Sequence, residues 1–186
     1  MKIGLVVYLV EGTSVNYKDE LNSLIKGDVV VSYHSSGSVS DAFNKGAKEL
    51  IGAGCDKLVF LQSYAKILDG DVISVLAKLP GHFNLVSDQP NLLEDYLFCI
   101  SSEAFSSFDS LYSTYLYLYD FFIKQHGVLG ISHVPSVNIS GVSVDYSLLP
   151  IKSNFEYFFS NDEEYFAVKY GVRISQAGSL VERGAL

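Results

Sequence analysis

The sequence contains no tryptophan and only two cysteines among its 186 residues. Two isolated cysteines, Cys55 and Cys99, cannot form the disulfide framework of a small secreted domain, nor a zinc site by themselves. The spacing of histidine, cysteine and aspartate does not indicate a zinc site either. We therefore expect two reduced thiols in the core, where free cysteine is most often found.

Positive charge is also scarce. Lysine and arginine number 13 against 21 acidic residues, so the formal net charge at pH 7 is −8. Proteins that bind nucleic acid or anionic membrane surfaces depend on clusters of basic residues, and this sequence has no such run. The composition therefore predicts no nucleic-acid partner and no attachment to an anionic membrane surface.

Long apolar runs are absent as well. The apolar run that opens the chain, Ile3 to Val10, covers about eight residues, whereas a transmembrane helix needs about 20. It also lacks the small-residue cleavage site of a signal peptide. We interpret it as the first core strand, and we expect a cytoplasmic protein without a transmembrane segment.

The composition of the sequence is that of a globular protein. Hydrophobic residues make up 48% of the sequence and charged residues 18%, the opposite of a disordered balance. A length of 186 residues is enough for a sizeable core, and no linker or repeat divides it. We therefore expect one domain spanning residues 1–186.

Apolar runs typical of strands covered on both faces alternate with amphipathic segments typical of helices. The predicted strands are Ile3 to Val10, Val29 to His34, Leu58 to Leu61, Phe83 to Val86, Tyr96 to Ile100 and Val128 to Val134. The predicted helices are Lys18 to Ile25, Ser38 to Ile51, Asp71 to Leu79, the second half of 106–125 and Asn154 to Tyr170. This alternation predicts an α/β fold with a mostly parallel sheet flanked by helices.

The segment from Ser38 to Leu79 resembles the centre of the family 2 glycosyltransferases. Ala42, Asn44 and Gly46 match a family helix that carries a small residue, Ala, Asn and Gly at this spacing. The apolar strand that follows also matches. The resemblance, which extends weakly to the C-terminal part of the chain, implies a GT-A fold.

The resemblance also implies catalytic and donor-binding residues. Asp120, Lys124 and Gly127 fill the places of the family's acceptor-side segment, and His133 stands where many members have a histidine. Inverting sugar transfer needs a general base, and Asp120 is the candidate. The alternative is an ion pair between Asp120 and Lys124, one helical turn later. His133 would contact the diphosphate, or would be a histidine packed near the core.

The sequence departs from the family where its metal motif should be. The family ends this strand with Asp-x-Asp, but here Gln62, Ser63 and Tyr64 follow, with Tyr64 in the place of the retained aspartate. These side chains offer no anionic oxygen to a divalent cation, so no metal ligand is predicted, although the family's Mn²⁺ or Mg²⁺ stays open. Lys66 could instead supply positive charge to the diphosphate.

His34 is a further candidate, because ligands of parallel sheets bind at the carboxyl ends of strands. The predicted donor-binding residues are thus His34, Tyr64, Lys66 and His133. Too few residues also lie between the first strand and the strand at Leu58 to Leu61 for the strand-helix unit that carries the nucleobase-reading aspartate in the family. The predicted function is sugar transfer from a nucleotide sugar to a glycan or related acceptor. The alternative is a catalytically degenerate GT-A-like domain that binds a glycan or another partner, so enzymatic activity stays open.

Overall fold

The protein is described here from a computed structural model, which covers residues 1–86, 95–114, 116–129, 131–134, 141–145, 147, 155–171 and 173. The strands are β1 (Ile3–Tyr8), β2 (Val29–His34), β3 (Lys57–Gln62), β4 (Ala65–Ile67), β5 (Phe83–Val86), β6 (Leu97–Ser101), β7 (Ile131–Val134) and β8 (Val142–Val144). The helices are α1 (Tyr17–Leu24), α2 (Val39–Gly52), α3 (Asp71–Lys78), α4 (Leu116–Leu129) and α5 (Phe155–Tyr170).

The main sheet has six strands in the order β2-β1-β3-β6-β5-β7. All neighbours pair in parallel except at β6, which is antiparallel to both β3 and β5. The prediction of a mostly parallel sheet flanked by helices is therefore confirmed. Because β6 runs the other way, its first residues lie at the edge of the sheet where β1, β2 and β3 end.

Each face of the sheet carries its own apolar core. On one face, Leu5, Val59 and Leu97 pack with residues of α1 and α3. On the other face, Phe60 and Phe98 pack with residues of α2, α4 and α5. Strands covered on both sides are buried along almost their whole length, which explains the continuous apolar runs of the sequence.

Helix α2 begins and lies where its sequence predicts. The Ser38 hydroxyl accepts a hydrogen bond from the Asp41 backbone N–H at 3.1 Å, as expected for a capping residue. Gly46 faces the sheet so closely that a Cβ there would overlap Val6 and touch His34.

Cys55 and Cys99 are buried free thiols, as predicted.

The structure corrects two boundaries and adds two strands. Helix α4 continues through Gly127 to Leu129, because a single glycine inside a helix costs stability without ending it. The following strand accordingly starts at Ile131 and not at Val128. Strands β4 and β8 pair antiparallel as a small second sheet, which was not predicted, because three-residue strands have no readable periodicity.

Candidate active site at the carboxyl rim of the sheet

Strands β1, β2 and β3 end level with one another. Tyr8, the last residue of β1, pairs in register with His34 of β2 and with Gln62 of β3. The region formed by these strand ends, together with Asp95 just before β6, is called the carboxyl rim below. Ligands of open α/β sheets bind outside such strand ends, so the rim is the candidate site.

Asp95 is fixed beside the end of β3 by hydrogen bonds. The Gln62 backbone N–H donates to the Tyr96 carbonyl at 3.0 Å, and the Gln62 amide donates to the Asp95 carbonyl at 3.2 Å. The Asp95 carboxylate accepts one bond from the Tyr64 hydroxyl at 2.7 Å and one from the Tyr117 hydroxyl at 2.8 Å. These contacts join β3, β6 and α4 at one point of the rim.

Burial decides the proton affinities in this group. Burial raises the pKa of Asp95 above its usual range, against the opposing effect of the hydrogen bonds from Tyr64 and Tyr117. Burial and the neighbouring Asp95 raise the pKa of Tyr117 far above its ordinary value. Tyr117 therefore keeps its proton at neutral pH and serves as a hydrogen-bond donor to the carboxylate.

Ser63 ties the end of β3 to the loop after β1. Its hydroxyl accepts a bond from the Val10 backbone N–H at 2.9 Å and lies 2.5 Å from the Thr13 hydroxyl. Its backbone N–H donates to the Tyr8 carbonyl at 2.9 Å. The segment after β3 is therefore held down along the rim by backbone and side-chain bonds.

The described residues of the rim offer few ligands for a divalent cation. Among the described residues, no three His, Cys, Asp or Glu side chains are grouped to hold a metal. Asp95 is the carboxylate found beside the end of β3, and both of its oxygens already accept bonds from tyrosines. Mg²⁺ and Mn²⁺ prefer several hard oxygen ligands, and Gln62, Ser63 and Tyr64 supply no charge.

Lys66 points away from the sheet core. It is the exposed residue in the middle of β4, and its ammonium lies 3.0 Å from Glu20 of α1. Both side chains are about half exposed, so this ion pair contributes little to stability. Lys66 can exchange Glu20 for another anion at low cost.

His34 is turned from the rim towards α2. Its Nε2 lies 2.8 Å from the Ser32 hydroxyl and 3.6 Å from Glu49, and the Ser32 hydroxyl donates to Glu49 at 2.6 Å. Burial lowers the pKa of His34, and Lys45 lowers it further, while Glu49 opposes both. A neutral histidine enclosed by its own strand and α2 does not face an open ligand position.

His133 belongs to β7, where its backbone is in register with Leu85. Strands β2 and β7 are the two edges of the main sheet, five strand steps apart. At about 4.8 Å per step, His34 and His133 are separated by about 24 Å. The backbones of the two predicted donor-binding histidines therefore lie at opposite edges of the main sheet.

Asp120 lies fully buried on α4. Its carboxylate is 2.8 Å from the Lys124 ammonium and 2.5 Å from the Lys169 ammonium. It also accepts hydrogen bonds from Tyr170 at 2.7 Å and from Tyr112 at 3.3 Å. The predicted pair with Lys124 is confirmed, and in this conformation no face of the carboxylate reaches solvent.

Lys169 joins Asp120 to a second carboxylate. Its ammonium lies 2.6 Å from Asp109, which also accepts a bond from the Tyr165 hydroxyl. Burial would lower the pKa of Lys169, but hydrogen bonds to Asp109 and Asp120 raise it overall. Burial likewise acts to raise the pKa of Asp109, yet the bond from Lys169 leaves it below its usual range. The C-terminal end of α5 is thereby tied to α4 through charge.

The sheet thus connects some of the predicted residues and separates others. Tyr64 reaches α4 through Asp95 and Tyr117, and Asp120 follows Tyr117 by three residues on that helix. Lys66 and His34 face other elements. Asp95 and Tyr117 were not singled out from the sequence, although an acidic residue directly before an apolar strand was a readable signal.

Similarity to known proteins is found in structure and not in sequence. No family model and no curated protein matches the chain. A197 from STIV is similar over 73% of this chain and 83% of that one, with a TM-score of 0.50 and 14% identity. A mutant of Drosophila β-1,4-galactosyltransferase 7, crystallised with manganese, UDP-Gal and xylobiose, is similar over 84% of this chain and 74% of that one, with a TM-score of 0.51 and 9% identity.

A protein from Desulfovibrio desulfuricans G20, provisionally assigned as a nucleotide-diphospho-sugar transferase, is similar over 91% of this chain and 99% of that one. Its TM-score is 0.45 and its identity is 9%. The similarity to the Drosophila enzyme, together with the mostly parallel sheet flanked by helices, identifies the fold as GT-A-like. Among the described residues, none of the helices has the length and apolar character needed to cross a membrane.

Proposed function

We propose that this chain transfers a sugar from a nucleotide sugar to a glycan or related acceptor. The observation that carries the proposal is the carboxyl rim of a GT-A fold, where Asp95 and Tyr64 lie beside the helix that holds Asp120. The nucleotide sugar and the glycan are the ligands that this fold and the family resemblance imply. The Drosophila enzyme with UDP-Gal and xylobiose supports the same ligand classes at the level of fold.

Asp120 is the proposed general base. To accept the acceptor's proton, its carboxylate must exchange one of its present partners for the acceptor hydroxyl. Lys124 is the most readily displaced of these partners, because its side chain is 35% exposed. Lys66 or His133 remains the proposed contact of the diphosphate, and Tyr64 remains a proposed donor-binding residue.

A second candidate function is binding without turnover. The enclosed carboxylate of Asp120 favours it, because a base held by two ammonium groups and two hydroxyls is not presented to a substrate. The uncharged strand end at Gln62, Ser63 and Tyr64 favours it as well. In this case the GT-A fold would bind a glycan or a partner at the same rim.

Thermal melts separate the two candidates. A ligand present at 100 times its Kd stabilises the native state by about 2.7 kcal/mol, so any donor that binds will raise the melting temperature. The panel contains UDP-, GDP- and dTDP-sugars, each with and without Mn²⁺. Stabilisation by one donor supports the transferase, whereas no shift with any donor contradicts it and favours binding without turnover.

The role of Asp120 needs a separate measurement. Asp120→Asn should abolish sugar transfer to a glycan acceptor and keep the donor-induced thermal shift. Asp19→Asn, a change of the same type on the exposed face of α1, should alter neither. Undiminished transfer by Asp120→Asn rejects Asp120 as the base.

A further inference from the structure

Asn44 is the polar member of the motif formed by Ala42, Asn44 and Gly46 in α2. The other two residues of the motif are buried. Asn44 instead makes two hydrogen bonds with Phe108, a residue 64 positions later. Its side-chain amide donates to the Phe108 carbonyl at 2.9 Å, and its side-chain oxygen accepts from the Phe108 backbone N–H at 2.7 Å. Two bonds to one residue fix both the position and the orientation of its backbone.

Phe108 in turn lies against α4 beside Asp120. Its ring is buried and stacks on Phe121, with the ring centroids 4.1 Å apart. Phe121 directly follows Asp120, and Asp109 directly follows Phe108. Both neighbours thus reach α4, Phe108 through the stacked rings and Asp109 through the ammonium of Lys169. The backbone that Asn44 fixes is therefore the one that carries Asp109.

Asp109 and Asp120 share the ammonium of Lys169. The nitrogen lies 2.6 Å from Asp109 and 2.5 Å from Asp120, and an ammonium has three protons to donate. A neighbouring cation favours the charged form of a carboxylate, and a second carboxylate draws on the same cation. If Asp109 left its place, the charge of Lys169 would act on Asp120 alone and would hold that carboxylate more firmly.

We propose that Asn44 is a positioning residue for Asp120: by fixing Phe108 it keeps Asp109 against Lys169, so that the lysine does not hold Asp120 alone. The consequence for sugar transfer, an Asp120 carboxylate freer to take the acceptor's proton, rests on the proposed function. The contacts from Asn44 to Lys169 do not depend on it. An asparagine suits the position because its side chain carries both a donor and an acceptor.

The titration of Asp109 tests the positioning without any activity. Burial acts to raise the pKa of Asp109, but the hydrogen bond from Lys169 leaves it below its usual range. Asn44→Ala should move this pKa upwards, towards the ordinary value of a carboxyl group, because the released backbone weakens that bond. Carbon-13 NMR of the carboxyl group measures the change. Asn22→Ala, on the exposed face of α1, is the matched control and should leave the pKa of Asp109 as it is.

An unchanged pKa of Asp109 in a folded Asn44→Ala variant overturns the proposal. Circular dichroism shows whether the variant is folded. If it is not, Asn44→Ser serves instead, because its hydroxyl can replace one of the two bonds. The pKa of Asp109 should rise in that variant as well, and its failure to rise there would equally overturn the proposal.

Kinetics test the consequence for transfer. With the donor that stabilises the protein in the thermal melts and a glycan acceptor, Asn44→Ala should lower kcat about tenfold or more, because misplaced groups around a base slow the chemical step. The KM for the donor should stay within about twofold, since Asn44 contacts no proposed donor-binding residue. A raised KM with an unchanged kcat contradicts the role in transfer. If the unchanged protein binds no donor, the proposed function fails, and the titration of Asp109 still decides whether Asn44 positions this group.

Discussion

Lys169 holds together the charges around Asp120. Its ammonium contacts Asp109 and Asp120 and lies within 6 Å of three tyrosine rings, at 5.5 to 5.9 Å from their centroids. Lys169→Met removes the charge and keeps a similar apolar length. Since loss of one partner of a buried ion pair costs roughly 3–5 kcal/mol and Lys124 remains, we expect the free energy of unfolding to fall by about 2–3 kcal/mol.

Urea denaturation followed by circular dichroism measures this loss. Val168, the preceding residue, is 81% exposed, and Val168→Thr is the matched control with an expected change within about 0.5 kcal/mol. A loss below about 0.5 kcal/mol for Lys169→Met would show that α5 is not held to α4 by this charge group.

The sequence predicted only the local part of this residue group. Asp120 and Lys124 stand four residues apart, so their pairing follows from helical spacing alone. Asp109 and Lys169 are 60 residues apart, and their contact depends on how α5 packs against the segment before α4. No local pattern encodes such a distance. For the same reason Tyr117 was not recognised as a partner of Asp95.

At the scale of elements, sequence periodicity located the six strands of the main sheet and the five helices, but not the direction of β6. The apolar run of β6 is compatible with either direction in a sheet, because both of its faces are covered. The antiparallel direction of β6 brings Asp95 to the rim and not to the opposite edge of the sheet. The position of Asp95 therefore depends on a property that the sequence pattern does not contain.

Helix α2 offers a direct test of how it packs against the sheet. A Cβ at Gly46 would overlap a methyl of Val6 and lie 3.0 Å from Nε2 of His34, whereas a Cβ at Gly52 in the same helix meets nothing within 4 Å. Alanine is favoured over glycine within a helix by about 1 kcal/mol, but overpacking costs about 1–3 kcal/mol. We expect Gly46→Ala to lower the free energy of unfolding and Gly52→Ala to leave it unchanged or raise it.

Chemical denaturation gives the free energy of unfolding of each variant. Both variants replace glycine by alanine in the same helix, so helix propensity largely cancels in the difference between the two values. We expect Gly46→Ala to be less stable than Gly52→Ala by about 1–3 kcal/mol. Equal stability of the two variants would mean that α2 lies farther from β1 than described.

At the scale of the whole molecule, the sheet order limits which residues can act together. His34 on β2 and His133 on β7 are the edge-strand histidines, about 24 Å apart across the sheet at about 4.8 Å per strand step. Asp95 and Tyr64 lie between these edges, next to β3 and β6. A diphosphate near Asp95 could therefore be contacted by one of the two histidines at most.

A double-mutant cycle with His34→Gln and His133→Gln tests this separation. Sites more than about 10 Å apart without shared partners have effects on stability that add within about 0.3–0.5 kcal/mol, so we expect no coupling in the free energy of unfolding. The same cycle on donor affinity should also be additive, because a single phosphate group cannot bridge the two edges. A coupling energy above about 1 kcal/mol in either measurement would require the two histidines to be close, which is incompatible with the six-strand order. Because the unfolding cycle does not depend on catalysis, it tests the sheet order even if the chain binds no nucleotide sugar.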